Sequence, residues 1–303
     1  MRQFWALNKR NIKLYFKDHS AVFFSVLSTL IVIMLMVFFL GSLMNRSLLD
    51  SVSGIPGRDP AKDAEKVKEI IYFWTVAGII IINAASTSHA FLSNMIKDRT
   101  SGRLNAILVM PIKRRHITAS FVFGAWFASV IMGLITLAIT ETIGISRGFE
   151  AFSFVMHGKV FLLIVVNSFV FSAILFFFAS LVKSESAWAA IGLIIGTLSG
   201  FLGGIYLTIG DMNATVVKVV KCFPFIYGTS ALREVMLKSS EDAFFDGTPE
   251  IIRQSVDAAM GTSLTLLKKE LSGGAKTGIL VLAAAVFMLL ATVVITYGKK
   301  KDR

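Results

Sequence analysis

The first candidates for chemistry in this sequence are a glycine-rich segment, four histidines and one cysteine. Residues 273–277, GGAKT, have the composition of a phosphate-binding loop, but alanine stands where the G-x-x-x-x-G-K-[ST] spacing requires glycine. Cys222 is the single cysteine, which excludes an intrachain disulfide and a cysteine metal site. The histidines are scattered along the chain, at His19, His89, His116 and His157. Such scatter offers neither a zinc motif nor a catalytic triad, so we expect no catalytic residue, metal or cofactor in this chain.

The elements around these residues are long apolar runs. Six runs contain no Asp, Glu, Lys or Arg, and each is long enough to cross a bilayer core as a helix. A charge at the centre of such a helix costs about 2.5–3.5 kcal/mol, so charge-free runs are typical of membrane spans. The sequence therefore predicts an all-α integral membrane protein, with residues 21–303 as one transmembrane domain. The predicted spans are 21–45, 70–96, 117–140, 160–182, 186–210 and 277–298.

The distribution of charge predicts the orientation. With both termini inside, the segments on the inner side hold 16 basic and four acidic residues, whereas the outer segments hold 15 of each. The whole net charge of +12 then lies on one side, as the positive-inside rule requires. We predict a multi-pass protein with both termini in the cytoplasm. Basic residues facing anionic lipid explain the high pI without a nucleic-acid partner.

The spans lack the charged groups that ion-coupled transporters use. None contains Asp, Glu or Arg, and His89 is better explained as a hydrogen-bonded structural residue. If the protein moves a substrate uphill, the energy must therefore come from another chain. Asn83, Asn167 and Thr197 are the candidate residues of a cargo pathway; the alternative is that they form hydrogen bonds between helices.

A short basic segment, residues 97–116, separates the second and third spans. It holds six basic residues and one acidic one, which places it in the cytoplasm. Ser101 and Gly102 break its first turn, and apolar residues at helical spacing follow them. We interpret the segment as a short surface helix that presents an apolar face to a soluble partner.

Two further regions flank the spans. Residues 1–20 predict a basic amphipathic helix in the headgroup plane, although Asn8 and Asn11 interrupt its apolar side. Residues 211–276 form the one sizeable region outside, and its apolar stretch 222–232 is too short to span, which favours a re-entrant hairpin.

Local helix signals accompany these regions. Asp59-Pro60 predicts a helix start near Ala61, and Pro249 and Gly261 predict the start and end of an external helix.

The fifth predicted span carries a glycine at every fourth position. The four in register favour close packing against another helix, within one subunit or between subunits; a flexible wall of a transport pathway is the alternative. These glycines are Gly192, Gly196, Gly200 and Gly204.

Together, the layout and the basic segment resemble the membrane subunit of ABC-2 type transporters. The residues that fit the family's coupling-helix pattern are Lys97, Asp98, Arg99, Gly102, Leu104, Ile107, Leu108, Pro111 and Ile112. Thr100, Arg103 and Asn105 depart from it, which makes this helix more basic and bears on its charge pairing with an ATPase. The stretch from Phe223-Pro224-Phe225 to Leu232-Arg233 also resembles the family's segment after the fifth span.

The resemblance implies a coupling helix over residues 97–112 and re-entrant helices before the sixth span. It also implies a dimer with a second copy or a paralogue, and separate ATPase subunits that bind ATP and Mg²⁺. The expected contact residues with the ATPase are Asp98, Arg99, Gly102, Leu104, Ile107, Leu108 and Pro111.

By the same resemblance, the expected function is export of drugs, antimicrobial peptides or lipid-like cargo across a bacterial cell membrane. Glycan export is the nearest alternative. A passive channel or a non-transporting membrane protein is the alternative from a different class.

Overall fold

The computed structural model describes residues 2–20, 41–109, 114–266 and 269–297, together with positions 22, 23, 27, 31 and 34. Most of the predicted first span, 21–45, lies outside the described residues, and so does Pro111. The described chain is all-α apart from a hairpin of two-residue strands, β1 (Thr265–Leu266) and β2 (Lys269–Glu270), and a 3-10 turn at Ile209–Asp211. The helices are α1 (Arg2–Lys17), α2 (Gly41–Val52), α3 (Pro60–Thr100), α4 (Arg103–Leu108), α5 (Arg114–Ser146), α6 (Phe154–Leu181), α7 (Glu185–Leu202), α8 (Ala214–Val220), α9 (Pro224–Met236), α10 (Lys238–Phe244), α11 (Glu250–Met260) and α12 (Gly273–Tyr297).

Five described helices, α3, α5, α6, α7 and α12, are long and apolar enough to cross a membrane. In order, they match the second to sixth predicted spans. Helices α8 and α9 together pass the same test but meet at 91°, the geometry of a broken span or a re-entrant loop. The all-α class and the multi-pass character predicted from the sequence are thus confirmed.

Helix α3 is the centre of the bundle. It packs against α5, α6 and α7, and its side chains are enclosed along much of its length, with Val67, Trp74, Ile81 and Phe91 all fully buried. The helix begins as the sequence predicts: the Asp59 carboxylate accepts a hydrogen bond from the backbone N–H of Ala61 at 3.0 Å. Because α3 is enclosed by other helices rather than by lipid, its charge-free apolar run has no polar face. The helix therefore shows little amphipathic character.

The predicted coupling helix at 97–112 is divided in two. Residues 97–100 form the last turn of α3, and the separate helix α4 has only six residues. The division follows from Gly102, whose φ of +76° reverses the chain direction after Ser101 in a conformation that other residues rarely adopt.

Helix α7 is shorter than the predicted span 186–210. It ends at Leu202, because Gly203 caps it and Gly204 takes a φ of +62°. Gly204 therefore lies beyond the helix, so the predicted four-glycine face is wrong at its last position.

Candidate functional site

The surface at the junction of α3 and α4, residues 98–109, is here called the α3–α4 corner. Its exposed side chains include Arg103, Asn105, Ala106 and Val109, and Val109 is 85% exposed. Leu104, predicted to face a partner, is half-buried and packs on the apolar cluster of the chain itself. The side chains of Ile107 and Leu108 lie outside the described residues.

Asp98 was predicted to contact a partner, but the structure turns it inward. Its carboxylate is only 2% exposed and accepts two hydrogen bonds from the Arg10 guanidinium, at 2.8 and 3.0 Å. Such a two-point arginine–carboxylate pair fixes orientation as well as distance. Asp98 therefore holds α1 against the end of α3 and has no free face to offer a partner.

Arg99 is also engaged within the chain. It donates to the carbonyl oxygens of Ala179, at 3.0 Å, and Val182, which are the last acceptors of α6. A positive charge at this position also interacts favourably with the negative end of the α6 dipole. Next to it, the Thr100 hydroxyl donates to the Glu185 carboxylate at 2.7 Å, at the start of α7. The corner is thus joined to α1, α6 and α7.

Helix α1 forms where the sequence predicts it and packs on the bundle with its predicted apolar side. Asn8 and Asn11 are fully buried against the bundle, whereas Trp5 is 57% exposed. The Asn11 side-chain amide donates to the Ser120 hydroxyl at 3.5 Å. The asparagines that interrupt the apolar stripe are therefore part of the contact with α5. Trp5, although partly exposed, also meets α5, since its ring centroid lies 5.8 Å from that of Phe123.

The three candidate pathway residues lie in different surroundings. Asn83 is buried and bonds to the hydroxyls of Thr136 and Thr87. Asn167 is buried and donates to the Leu163 carbonyl at 2.8 Å, whereas Thr197 is exposed on α7. Asn83 thus forms the hydrogen bond between helices, here α3 and α5, that is the alternative to a cargo pathway. A cargo pathway through all three residues stays a prediction.

Two of the three glycines of α7 face side chains of the same chain. A Cβ on Gly192 would lie 2.5 Å from the His89 ring, and one on Gly200 would lie 2.2 Å from the Tyr206 ring. A Cβ on Gly196 would have no described atom within 4 Å. Gly196 thus leaves open space beside α7.

His89 has the structural role that the sequence favours. Its ring stacks on that of Trp188 with centroids 4.5 Å apart, and its Nε2 atom lies 3.0 Å from the Trp188 carbonyl oxygen. Both contacts join α3 to α7 near the corner.

Sequence reasoning missed the role of Arg233. This arginine on α9 is completely buried and bonds to backbone carbonyls of three other segments. The available signal was an arginine at the end of the apolar stretch 222–232. An arginine in such a setting is usually paired within the protein.

Several helices long enough to span a membrane around a buried central one define a multi-pass membrane protein. The sequence model of one family, described as ABC-2 family transporter protein, matches residues 55–296. The chain belongs to this family. No match was found among curated proteins. Proteins of this family are membrane subunits, and they normally work with an ATP-binding subunit.

Proposed function

We propose that this chain is the permease subunit of an exporter that moves amphipathic cargo outward, such as drugs, antimicrobial peptides or lipid-like molecules. A separate subunit binds ATP and Mg²⁺ and docks on the α3–α4 corner. The observation that carries the proposal is the corner itself: a short exposed helix on a base joined to three other helices. It supports a role in which force enters through α4.

The contacts at the α3–α4 corner explain how the short helix α4 could move the transmembrane domain. Movement of α4 is passed directly to α3, since one glycine turn joins them. The Arg10–Asp98 pair extends the movement to α1, and Arg99 extends it to the end of α6. The docking residues are then Arg103, Asn105, Ala106 and Val109, with Asp98 and Arg99 supporting them from behind.

Two features support the assembly and its orientation. The inner-side excess of basic residues favours a corner that faces the cytoplasm of a bacterial cell, with both termini on that side. Helix α7 carries large exposed apolar side chains, including Leu193 at 74% and Ile194 at 57%. A second copy or a paralogue packing on α7 would cover them, and the open space at Gly196 suits close approach of a helix.

An apolar cleft supports the class of cargo. A cleft of about 340 Å³ lies between α6, α7, α9 and α12, and nearly all of its lining atoms are apolar. Its walls include Phe171, Ile194, Phe225 and Phe287. Such walls suit the apolar part of an amphipathic molecule better than a glycan, which needs polar partners.

The test uses the complex purified from native membranes and assayed for Mg²⁺-ATP hydrolysis. Val109→Asp places a charge on the exposed corner, and we expect it to remove the ATPase from the complex while insertion is unchanged. Ile251→Asp, at an exposed apolar residue of α11, is the matched control and should leave the complex intact. An ATPase that copurifies equally with both variants would exclude this docking surface.

The same preparation separates the alternatives. Stimulation of hydrolysis by a cationic amphipathic peptide is expected, whereas stimulation by a lipid-linked glycan alone would favour glycan export. Transport that proceeds without any hydrolysing subunit would identify a passive channel.

A further inference from the structure

A charged cavity lies far from the α3–α4 corner. It is open to solvent, its volume is about 710 Å³, and it is lined by the first turn of α6, by α9, α10 and α11, and by the start of α12. Arg99 binds the other end of α6. Since α6 has 28 residues, the two sites are separated by about 40 Å along this helix.

The buried lysine of the cavity is already neutralised. Lys276 is 1% exposed, and its ammonium group lies 2.7 Å from the Glu234 carboxylate and 2.8 Å from the Thr262 carbonyl oxygen. This pair leaves Lys276 with little capacity for another ionic partner, whereas the Glu234 side chain is 44% exposed and faces solvent.

Two carboxyl groups, in contrast, have unused acceptor capacity. Glu241 is 4% exposed, and among the described residues its carboxyl group accepts one weak hydrogen bond, from the Thr262 hydroxyl at 3.4 Å. The Asp257 Oδ1 atom is buried and has no described hydrogen-bond partner. Arg253 lies 3.9 Å from Asp257, but it makes its shorter ion pair with Asp242. A buried acceptor without a donor is costly, so the pair is suited to a cationic donor.

The chemistry of the cavity favours an ammonium group over a metal ion. The described residues contain no group of three or more His, Cys, Asp or Glu side chains placed to hold a metal. Two carboxyl groups with a nearby hydroxyl, however, suit the three N–H donors of a primary ammonium.

The rim of the cavity also carries two basic side chains and lies beside apolar surface. Lys159 and Lys238 line the cavity and are exposed. Phe154 and Val155 begin α6, a candidate membrane span, and are 93% and 66% exposed. Exposed apolar side chains at the end of a span are typical of the level of lipid headgroups.

We propose that this cavity binds a phosphoethanolamine group, with its ammonium at Glu241 and Asp257 and its phosphate at Lys159 and Lys238. The group can come from a phosphatidylethanolamine headgroup or from a soluble molecule. The proposal is independent of the transport function above, because its test measures binding alone.

Binding should release a proton. Burial and the neighbouring Asp257 raise the pKa of Glu241 from its ordinary value of 4.5 to about 8, although Arg253 opposes the shift and Asp242 adds to it. At neutral pH the carboxyl group therefore carries a proton, which must leave before the group can pair with an ammonium. Affinity should accordingly rise as the pH is raised from 6 to 8.

The experiment uses the full-length chain in nanodiscs whose zwitterionic lipid is either phosphatidylethanolamine or phosphatidylcholine. Retained lipid is counted by native mass spectrometry, and soluble O-phosphoethanolamine is titrated calorimetrically into the phosphatidylcholine discs. We expect phosphatidylethanolamine to be retained at least about tenfold more than phosphatidylcholine, because a quaternary ammonium has no N–H donor. Binding of the soluble probe without lipid retention supports the same chemistry with a soluble source.

Two variants make the test specific. Glu241→Gln keeps the shape of the protonated side chain but cannot ionise, so it should lose the preference and the pH dependence. Asp246→Asn removes an exposed carboxylate outside the lining and should change neither. Equal retention of the two lipids with no binding of the soluble probe, or unchanged binding and pH dependence in Glu241→Gln, would overturn the proposal.

Discussion

The guanidinium carbon of Arg233 lies 3.8 Å from the centroid of the Trp74 ring. The same guanidinium donates to the carbonyl oxygens of Gly204, at 2.8 Å, and Met260, at 3.0 Å. The Trp74 indole N–H also donates to the Met260 carbonyl, at 2.8 Å. The buried charge is thus stabilised by dipoles and an aromatic face, and the contact joins α9, α3, the turn after α7 and the end of α11.

Replacing Arg233 with lysine should destabilise this junction strongly. A single ammonium cannot stack on Trp74 and reach both carbonyl oxygens, so buried acceptors are left without donors. We expect a loss of about 2–4 kcal/mol in the free energy of unfolding, measured by thermal or denaturant unfolding in nanodiscs. Arg147→Lys, at an exposed arginine 5.7 Å from the Tyr72 ring, is the control and should lose less than about 0.5 kcal/mol. Equal losses in the two variants would contradict the assignment.

Breaking the Arg10–Asp98 pair should loosen α1. Asp98→Asn removes the charge that Arg10 binds at two points, so we expect faster amide hydrogen exchange in residues 2–17. A double-mutant cycle with Arg10→Ala should give a coupling free energy of about 1–3 kcal/mol. Lys13→Ala, on the exposed face of α1, serves as the control. A coupling energy near zero would show that the pair does not hold the helix.

The glycines of α7 should differ in their response to substitution. Gly192→Ala places a methyl group against the His89 ring, which cannot move without losing its stacking on Trp188, so a loss of about 1–3 kcal/mol is expected.

Gly196→Ala is the matched comparison, because no described atom lies near its added Cβ. The stability of the single chain should be unchanged or higher by up to about 1 kcal/mol. If a second copy packs on α7, as proposed, crosslinking in membranes should show weaker self-association in this variant. A Gly192→Ala variant as stable as Gly196→Ala would show that the His89 contact is not close.

The stability of the region around α10 should depend on Glu241 ionisation. Burial raises the pKa of Glu241 from 4.5 to about 8, so the folded state holds a proton that the unfolded state has lost in this range. The free energy of unfolding should therefore fall as the pH rises from 4.5 to 8 and then level off.

Asp257 contributes to the same trend at lower pH. Burial is the main reason that its pKa rises from 3.8 to about 6, against the effect of Arg253. The slope between pH 6 and 8 is then due mainly to Glu241, and Glu241→Gln should abolish it. Hydrogen exchange of residues 238–263 measured across this range checks the prediction, and a persistent slope would show that another group titrates.

Much of the fold was predictable because its signals are local. The start of α3 at Asp59-Pro60 and the end of α11 at Gly261 follow from capping preferences that involve only a few neighbouring residues. The charge-free runs similarly predicted the five described spanning helices, since lipid or protein burial selects the composition of each helix separately.

The arrangement of the corner was not predictable in the same way. Asp98 looks like a surface residue in the sequence, and its partner Arg10 lies 88 positions away. The inward orientation of Asn8 and Asn11 likewise depends on packing against α5. Gly204 does not lie on the predicted glycine face, because α7 ends two residues before it. In each case a contact between distant segments, or one backbone reversal, overrode a regular pattern.

The length of α3 has a mechanical consequence. Its 41 residues make a rod of about 60 Å, and no proline interrupts it after Pro60. The rod meets α4 at one end, and near the other Lys66 binds Glu150 at 3.2 Å. If an ATPase pulls on α4, as proposed, a small displacement there should tilt the whole rod, and Trp74 on the far half should move together with Arg233. Under the proposed function, the two ends of α3 would then move in opposite directions, because one uninterrupted helix joins them.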